Sequence, residues 1–104
     1  MGKNGFSEKC YELLLKIPRG KVSTYKEIAS ALGCKAYRAV GNAMRTNKNA
    51  PAVPCHRVIR SNGEIGGYIG GSKKNISKKI KLLKEEGVLV VGGKIELDKY
   101  LFRF

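Results

Sequence analysis

Apolar positions recur with a helical period in four stretches of this chain. Cys10, Leu13, Leu14 and Ile17 share one face of a helix that Ser7 caps and Pro18-Arg19-Gly20 stops. Thr24 and Glu27 stand at capping-box spacing, so a second helix opens there, turns Ile28, Ala31 and Leu32 inward, and ends at Gly33. A third helix covers roughly Lys35 to Arg45, with Ala36, Ala39, Val40, Ala43 and Met44 as its inward stripe. A fourth runs from about Lys73 to Glu86 and stops at Gly87. It buries Ile76, Ile80 and Leu83 and turns Lys74, Lys78 and Lys81 outward.

The intervening segments read differently. Asn47 to Pro54 is a loop, because Pro51 and Pro54 interrupt regular structure. Val58 and Ile59 bury the segment that starts at Cys55 as a short strand. Ser61-Asn62-Gly63 is a turn, and a glycine-rich loop around Tyr68 spans Gly66 to Gly71. Val88 to Val91 and Lys94 to Leu97, joined by Gly92-Gly93, read as a β-hairpin. Tyr100-Leu101-Phe102 is apolar enough to dock on the core. The predicted fold is a single domain over residues 1–104, mainly α with short β elements and winged-helix-like. Its second and third helices form a candidate helix-turn-helix, although the same pattern also suits a plain helical corner.

Charge changes the picture most. The 104 residues carry a formal charge of +13, which predicts attraction to a polyanion; the alternative is a basic, highly soluble protein. No apolar run is long enough to cross a membrane, and the first residues lack the apolar stretch of a signal peptide. Three cysteines, an odd number, argue against a disulfide framework and for a reducing, cytoplasmic location. Their spacing, with one histidine, makes no common zinc pattern, so no metal is expected.

Two stretches carry candidate chemistry. In Pro54-Cys55-His56-Arg57-Val58 a cysteine precedes the single histidine. A thiol becomes a thiolate nucleophile with the help of a base or a positive charge, and His56 and Arg57 offer both. The bland alternative is a buried cysteine beside a surface histidine. The third helix presents Arg38, Gly41, Asn42 and Arg45 on its second face. Small residues between two arginines let a backbone approach a narrow groove, with an arginine as wedge or phosphate contact; equally, they let a helix pack tightly on a neighbour. The Gly66–Gly71 loop suits a mobile lid over a planar ligand or a flexible surface loop.

Arg38-Ala39-Val40-Gly41, Asn47, Pro54-Cys55-His56-Arg57-Val58 and Gly67-Tyr68-Ile69-Gly70-Gly71 together resemble the active-site domain of the O6-alkylguanine-DNA alkyltransferases. The resemblance extends from about Phe6 to Val88. It implies irreversible transfer of an alkyl group from guanine O6 to Cys55 in double-stranded DNA, after the base is flipped from the stack and without a cofactor. It further implies His56 as base through a bridging water, Glu86 orienting His56, Asn47 bracing the active-site turn, and Tyr25 donating to the guanine ring. Arg38 would fill the gap left by the base. Ala36, Ala39, Gly41, Asn42 and Arg45 would meet the minor groove. Tyr68, Ile69 and Gly70 would form a substrate loop, with Ile69 where the family often carries a small hydroxyl residue. The protein is expected to act as a monomer, without the amino-terminal domain of many members. Short alkyltransferase-like relatives replace the cysteine, commonly with tryptophan, and bind lesions without accepting the alkyl group; the presence of Cys55 points to the active form.

Overall fold

The computed structural model describes residues 5–50, 52–66 and 73–104, with the side chains of 73 and 74 left aside. Helix α1 spans Phe6–Leu14. Its N-cap is Gly5, two residues before the expected Ser7: Glu8 reaches back so that its Oε1 accepts the Gly5 N–H at 3.1 Å. It also ends before Ile17, which is nevertheless fully buried in the turn that follows. Strand β1 (Ser23–Thr24) leads directly into α2 (Tyr25–Ala31), and Thr24 caps α2 by accepting the Glu27 N–H at 3.1 Å.

Helix α2 closes as the Gly33 signal predicts. Gly33 takes a φ of 72°, its N–H bonds Ser30 O, and the Cys34 N–H bonds Ala29 O. This is the paired-bond helix stop that glycine favours. Its buried residues are Ile28 and Ala29; Ala31, expected inward, is exposed. Helix α3 begins at Tyr37 rather than Lys35 and runs to Arg45. Only Val40, Ala43 and Met44 of its expected stripe are buried, and Ala36 and Ala39 face out. Tyr11 Oη donates to Ala43 O at 2.9 Å and ties α1 to α3. Helices α2 and α3 thus form the expected helix-turn-helix, packed on α1.

The expected strand at Cys55 is a different element. Cys55–Arg57 forms a 3₁₀ turn, and only Val58–Ile59 is strand, β2. The Arg57 N–H bonds Pro54 O at 3.0 Å and so closes the tight turn. β2 pairs in parallel with β1, Ser23 opposite Val58 and Thr24 opposite Ile59. The tail extends this small sheet. Val22 bridges Leu101, Phe102 N–H donates to Val22 O at 2.7 Å, and Tyr100 is buried, as expected for a docking segment.

Helix α4 covers Lys73–Glu85. The expected hairpin shrinks to one bridge, Val91 with Lys94, around Gly92 and Gly93 at positive φ. The 63–65 segment takes the second strand instead: Lys94 bridges Glu64, and Ile95 N–H donates to Gly63 O. Leu97 opens a short helix, α5 (Leu97–Tyr100). The core has two parts. One gathers α1, α2 and α3 around Cys55 and Val58; the other joins Val22, Ile59, Ile65, Leu83, Val88, Ile95 and Tyr100. The Cys55–Ile59 segment contributes to both, which fixes the cysteine at their junction.

Candidate active site

The 3₁₀ turn determines where each side chain of Cys55-His56-Arg57 goes. Cys55 is 2% exposed and His56 1% exposed, so His56 is not a surface histidine. Cys55 lies on the wall of a cleft of about 290 Å³, together with Tyr25, Arg60 and the Arg38–Arg45 face of α3. The thiol is therefore buried but borders open space. Its N–H donates to Val53 O at 2.9 Å, and the same oxygen accepts Asn47 Nδ2 at 2.8 Å. Asn47, itself 3% exposed, also accepts the Asn49 N–H at 3.0 Å. One amide side chain thus holds the loop before the cysteine and the cysteine's own backbone to a common point.

Behind the turn stands Glu86. It is the C-cap of α4, put there by the helix stop at Gly87, where Gly87 N–H bonds Lys84 O and Val88 N–H bonds Leu83 O. A carboxylate at a helix C-terminus opposes the helix dipole, so it needs cationic partners. Arg57 supplies them: Nε donates to Oε1 at 2.9 Å and Nη2 to Oε2 at 2.8 Å. Nη1 of Arg57 donates to Ile17 O at 2.8 Å, locking the fork in place. His56 Nε2 is 3.0 Å from Glu86 Oε2. Burial raises the Glu86 carboxyl, but the bonds from Arg57 and His56 outweigh it and hold the group below its ordinary range. Burial lowers His56, Arg57 and Lys79 push the same way, and Glu86 opposes them without reversing the result. A neutral imidazole that donates from Nε2 to a carboxylate has its lone pair on Nδ1. That atom is buried and has no hydrogen-bond partner among the described residues.

Lys79 is a functional candidate that the sequence reading passed over. It is fully buried, and Nζ donates to Val58 O and Ile65 O at 2.7 Å each. Burial draws its ammonium from 10.5 down to about 7; Cys55 raises it and Arg60 lowers it. A cation in electrostatic contact with the cysteine favours the thiolate. The signal was available: position 79 is three after Ile76 and four before Leu83, within the inward stripe of α4. Lys78 and Lys81 face out as expected.

Tyr25, the first residue of α2, is half-buried on the cleft wall. Burial raises its hydroxyl pKa, while Arg60 lowers it and Cys55 raises it. On α3, Arg38, Asn42 and Arg45 are exposed, and Arg45 Nη2 donates to Asn42 Oδ1. A Cβ at Gly41 would meet nothing within 4 Å, so tight packing against a neighbour does not account for this glycine. Of the expected DNA-facing set, Ala36 and Ala39 are exposed rather than packed inward, which puts them on the same open side as Arg38 and Asn42. Tyr68, Ile69 and Gly70 lie outside the described residues.

Residues 5–88 match the family model described as "6-O-methylguanine DNA methyltransferase, DNA binding domain". A methylated-DNA–protein-cysteine methyltransferase of Candida glabrata is 45% identical over 92 residues, 88% of this chain and 42% of that protein. A bifunctional methyltransferase/endonuclease of Picrophilus torridus is 42% identical over 93 residues, 88% of this chain and 30% of that one. The chain therefore spans less than half the length of these curated relatives. Among solved structures, S. pombe Atl1 bound to damaged DNA containing O6-carboxymethylguanine aligns over 100% of both chains, with TM-score 0.81 and 36% identity. Mycobacterium tuberculosis OGT in complex with DNA aligns over 78% of this chain and 48% of that one, with TM-score 0.70 and 44% identity.

Proposed function

The chain belongs to the 6-O-methylguanine DNA methyltransferase family, and on that premise we propose that it is a DNA repair protein that moves an alkyl group from guanine O6 in duplex DNA onto its own Cys55. The observation that carries this reading is the position of Cys55. It borders a cleft that opens onto the exposed arginine face of α3, with His56, Glu86 and Arg57 linked behind it. The domain is then both the DNA-binding unit and the active-site unit.

The chemistry is an in-line displacement. Sulfur attacks the alkyl carbon, the S–C bond forms as the C–O6 bond breaks, and the electron pair passes to the purine. The thiol proton goes to His56 Nδ1 through a water, since the side chains of adjacent residues seldom meet directly. Glu86 orients the ring and Arg57 holds Glu86. Lys79 in its charged form favours the thiolate, and with its pKa drawn down to about 7 that form is partly present at neutral pH. Tyr25 donates toward the purine and offsets charge developing there. The target carbon is hidden in a stacked base, so the nucleotide must rotate out, at a cost of roughly a few kcal/mol. Arg38 filling the gap and lysines on phosphates offset that cost. Asn47 keeps the turn from yielding. A thioether does not revert, so each molecule acts once. No disulfide joins Cys10, Cys34 or Cys55, which suits a reducing compartment such as the cytoplasm; the transfer chemistry calls for one chain per lesion, so we assign a monomer.

A second reading is a lesion binder that does not accept the alkyl group; the end-to-end match to Atl1 favours it. Mass spectrometry of the protein after incubation with an O6-methylguanine duplex decides between them. Transfer adds one methyl to the peptide containing Cys55, and Cys55→Ser abolishes the gain. Tight lesion binding with unchanged mass overturns the transfer reading in favour of the second.

A further inference from the structure

A second cleft adjoins the one that holds Cys55. Its volume is about 470 Å³, and its walls are Tyr25, Lys26, Tyr37, Arg60, Ser61 and Asn62. Tyr25 and Arg60 line both clefts, so they form the partition between them. In-line attack sets sulfur, carbon and O6 on one axis. Any substituent on that carbon therefore projects sideways, toward a wall of the first cleft. A methyl group has no such substituent and makes no use of the partition. A longer group needs room beyond it, and the second cleft offers that room.

The second cleft is also charged in one sense. Lys26 and Arg60 line it, and no aspartate or glutamate lines either cleft among the described residues. Arg60 and Tyr25 both come close to Gly66, which has no side chain to keep them away. A Cβ there would lie 3.3 Å from Arg60 Cγ and 3.6 Å from both Arg60 Nε and Tyr25 Oη. Gly66 has a φ of 72°, a conformation that suits glycine. The Arg60 head reaches Glu64 Oε1 at 3.5 Å, and both side chains are largely exposed, at 61% and 43%. Such a pair contributes little. Glu64 has a second partner, Asn62 Nδ2, at 3.0 Å. Arg60 can therefore leave Glu64 for an arriving anion without stranding the carboxylate.

We propose that the second cleft is a subsite for the substituent of a functionalised O6-alkyl group, and that Arg60 with Lys26 selects substituents ending in a carboxylate. The inference rests on the reading that a flipped O6-alkylguanine enters the Cys55 cleft. It adds a preference among lesions that the transfer chemistry alone does not require.

The test compares duplexes carrying O6-carboxymethylguanine and O6-methylguanine, using the full chain. Lesion affinity is read by fluorescence anisotropy, and transfer is followed separately by mass. The expected result is a carboxymethyl-to-methyl affinity ratio that falls about tenfold in Arg60→Met, one charge-assisted contact's worth. Arg60→Lys should keep part of the preference, and Glu64→Gln, which frees Arg60, should raise it. A ratio unmoved by Arg60→Met overturns the subsite. Equal weakening on both lesions also overturns it, because that is how a lost phosphate contact behaves. Because affinity and mass are read apart, absence of methylation with an intact Arg60-dependent ratio sinks the transfer reading and leaves the subsite standing.

Discussion

Two polar regions of this molecule are held in place by opposite means. Around Glu86, every group is fixed. The carboxylate receives two bonds from Arg57 and one from His56, and Arg57 spends its remaining arm on Ile17 O. On α3, Arg38 and Asn42 stand exposed, and a Cβ at Gly41 would touch nothing. The first region is over-determined by internal contacts, as a site that must hold a proton acceptor steady requires. The second carries one side-chain bond between two of its own exposed residues, Arg45 Nη2 to Asn42 Oδ1, and leaves Arg38 to solvent, as a surface made for an external partner would. A mutation should therefore act through stability in one region and through binding in the other.

The sharpest break of that contrast is at Arg57. Replacement by alanine leaves a buried carboxylate at a helix C-terminus with only a neutral imidazole beside it. Losing one partner of a buried pair costs on the order of 3–5 kcal/mol, read as ΔG from urea unfolding. Arg57→Lys should recover less than half of this, because an ammonium cannot make two parallel bonds to one carboxylate. A loss under ~1 kcal/mol, the range of an exposed pair, would erase the distinction between the two regions.

Stability against pH gives the next largest effect. The folded pKa of Lys79 is about 7 against 10.5 when solvated. Between those values the unfolded chain binds the extra proton, so stability rises with pH, by up to ~1.4 kcal/mol per unit. Cys10 opposes this above pH 9, because burial raises its thiol to about 11, with Cys34 adding to the shift. Tyr25, also raised, opposes it above 10. The rise should therefore be clearest from pH 7 to 9. On the acid side His56 is lowered, so protonation of the unfolded chain below about 6.5 destabilises the fold. The lowered Glu86 acts in the same direction below about 4.5. Chemical denaturation across pH should show both slopes, and Lys79→Met should flatten the one from 7 to 9. A rise that survives in Lys79→Met would mean that another group carries it.

The contrast also explains what could be read from the sequence. Helix-turn-helix order, the Thr24 cap and the Gly33 and Gly87 stops were legible because each is a local rule spanning a few residues. Ala31, Ala36 and Ala39 misled because alanine is small and apolar enough to satisfy an inward stripe while standing in solvent. The 3₁₀ turn at Cys55 escaped because three residues carry no period. The hairpin failed in part because Gly92-Gly93 marks the turn but cannot say which strand pairs beyond it, and 63–65 competes successfully. The Arg57–Glu86 fork joins residues 29 apart and leaves no trace in spacing. Tyr25, Asn47, His56 and Glu86 were identified by resemblance; the structure supplies the links among them, Asn47 through Val53 O to Cys55 and Glu86 to His56.

The smallest expected effect tests the open region most directly. Gly41 sits mid-helix without a positive φ, so nothing in the backbone calls for glycine there. Nothing in the packing does either, since an added Cβ meets open space. By helix propensity alone Gly41→Ala should stabilise the protein by about 1 kcal/mol, raising Tm by several degrees for a domain of this size. If α3 approaches a DNA groove closely at this position, the same methyl group should weaken duplex binding while the fold becomes tighter. A gain in stability with a loss in affinity is a signature that no defect of folding can imitate. A gain in stability with unchanged affinity would move the contact surface away from the middle of α3, to the arginines at its ends.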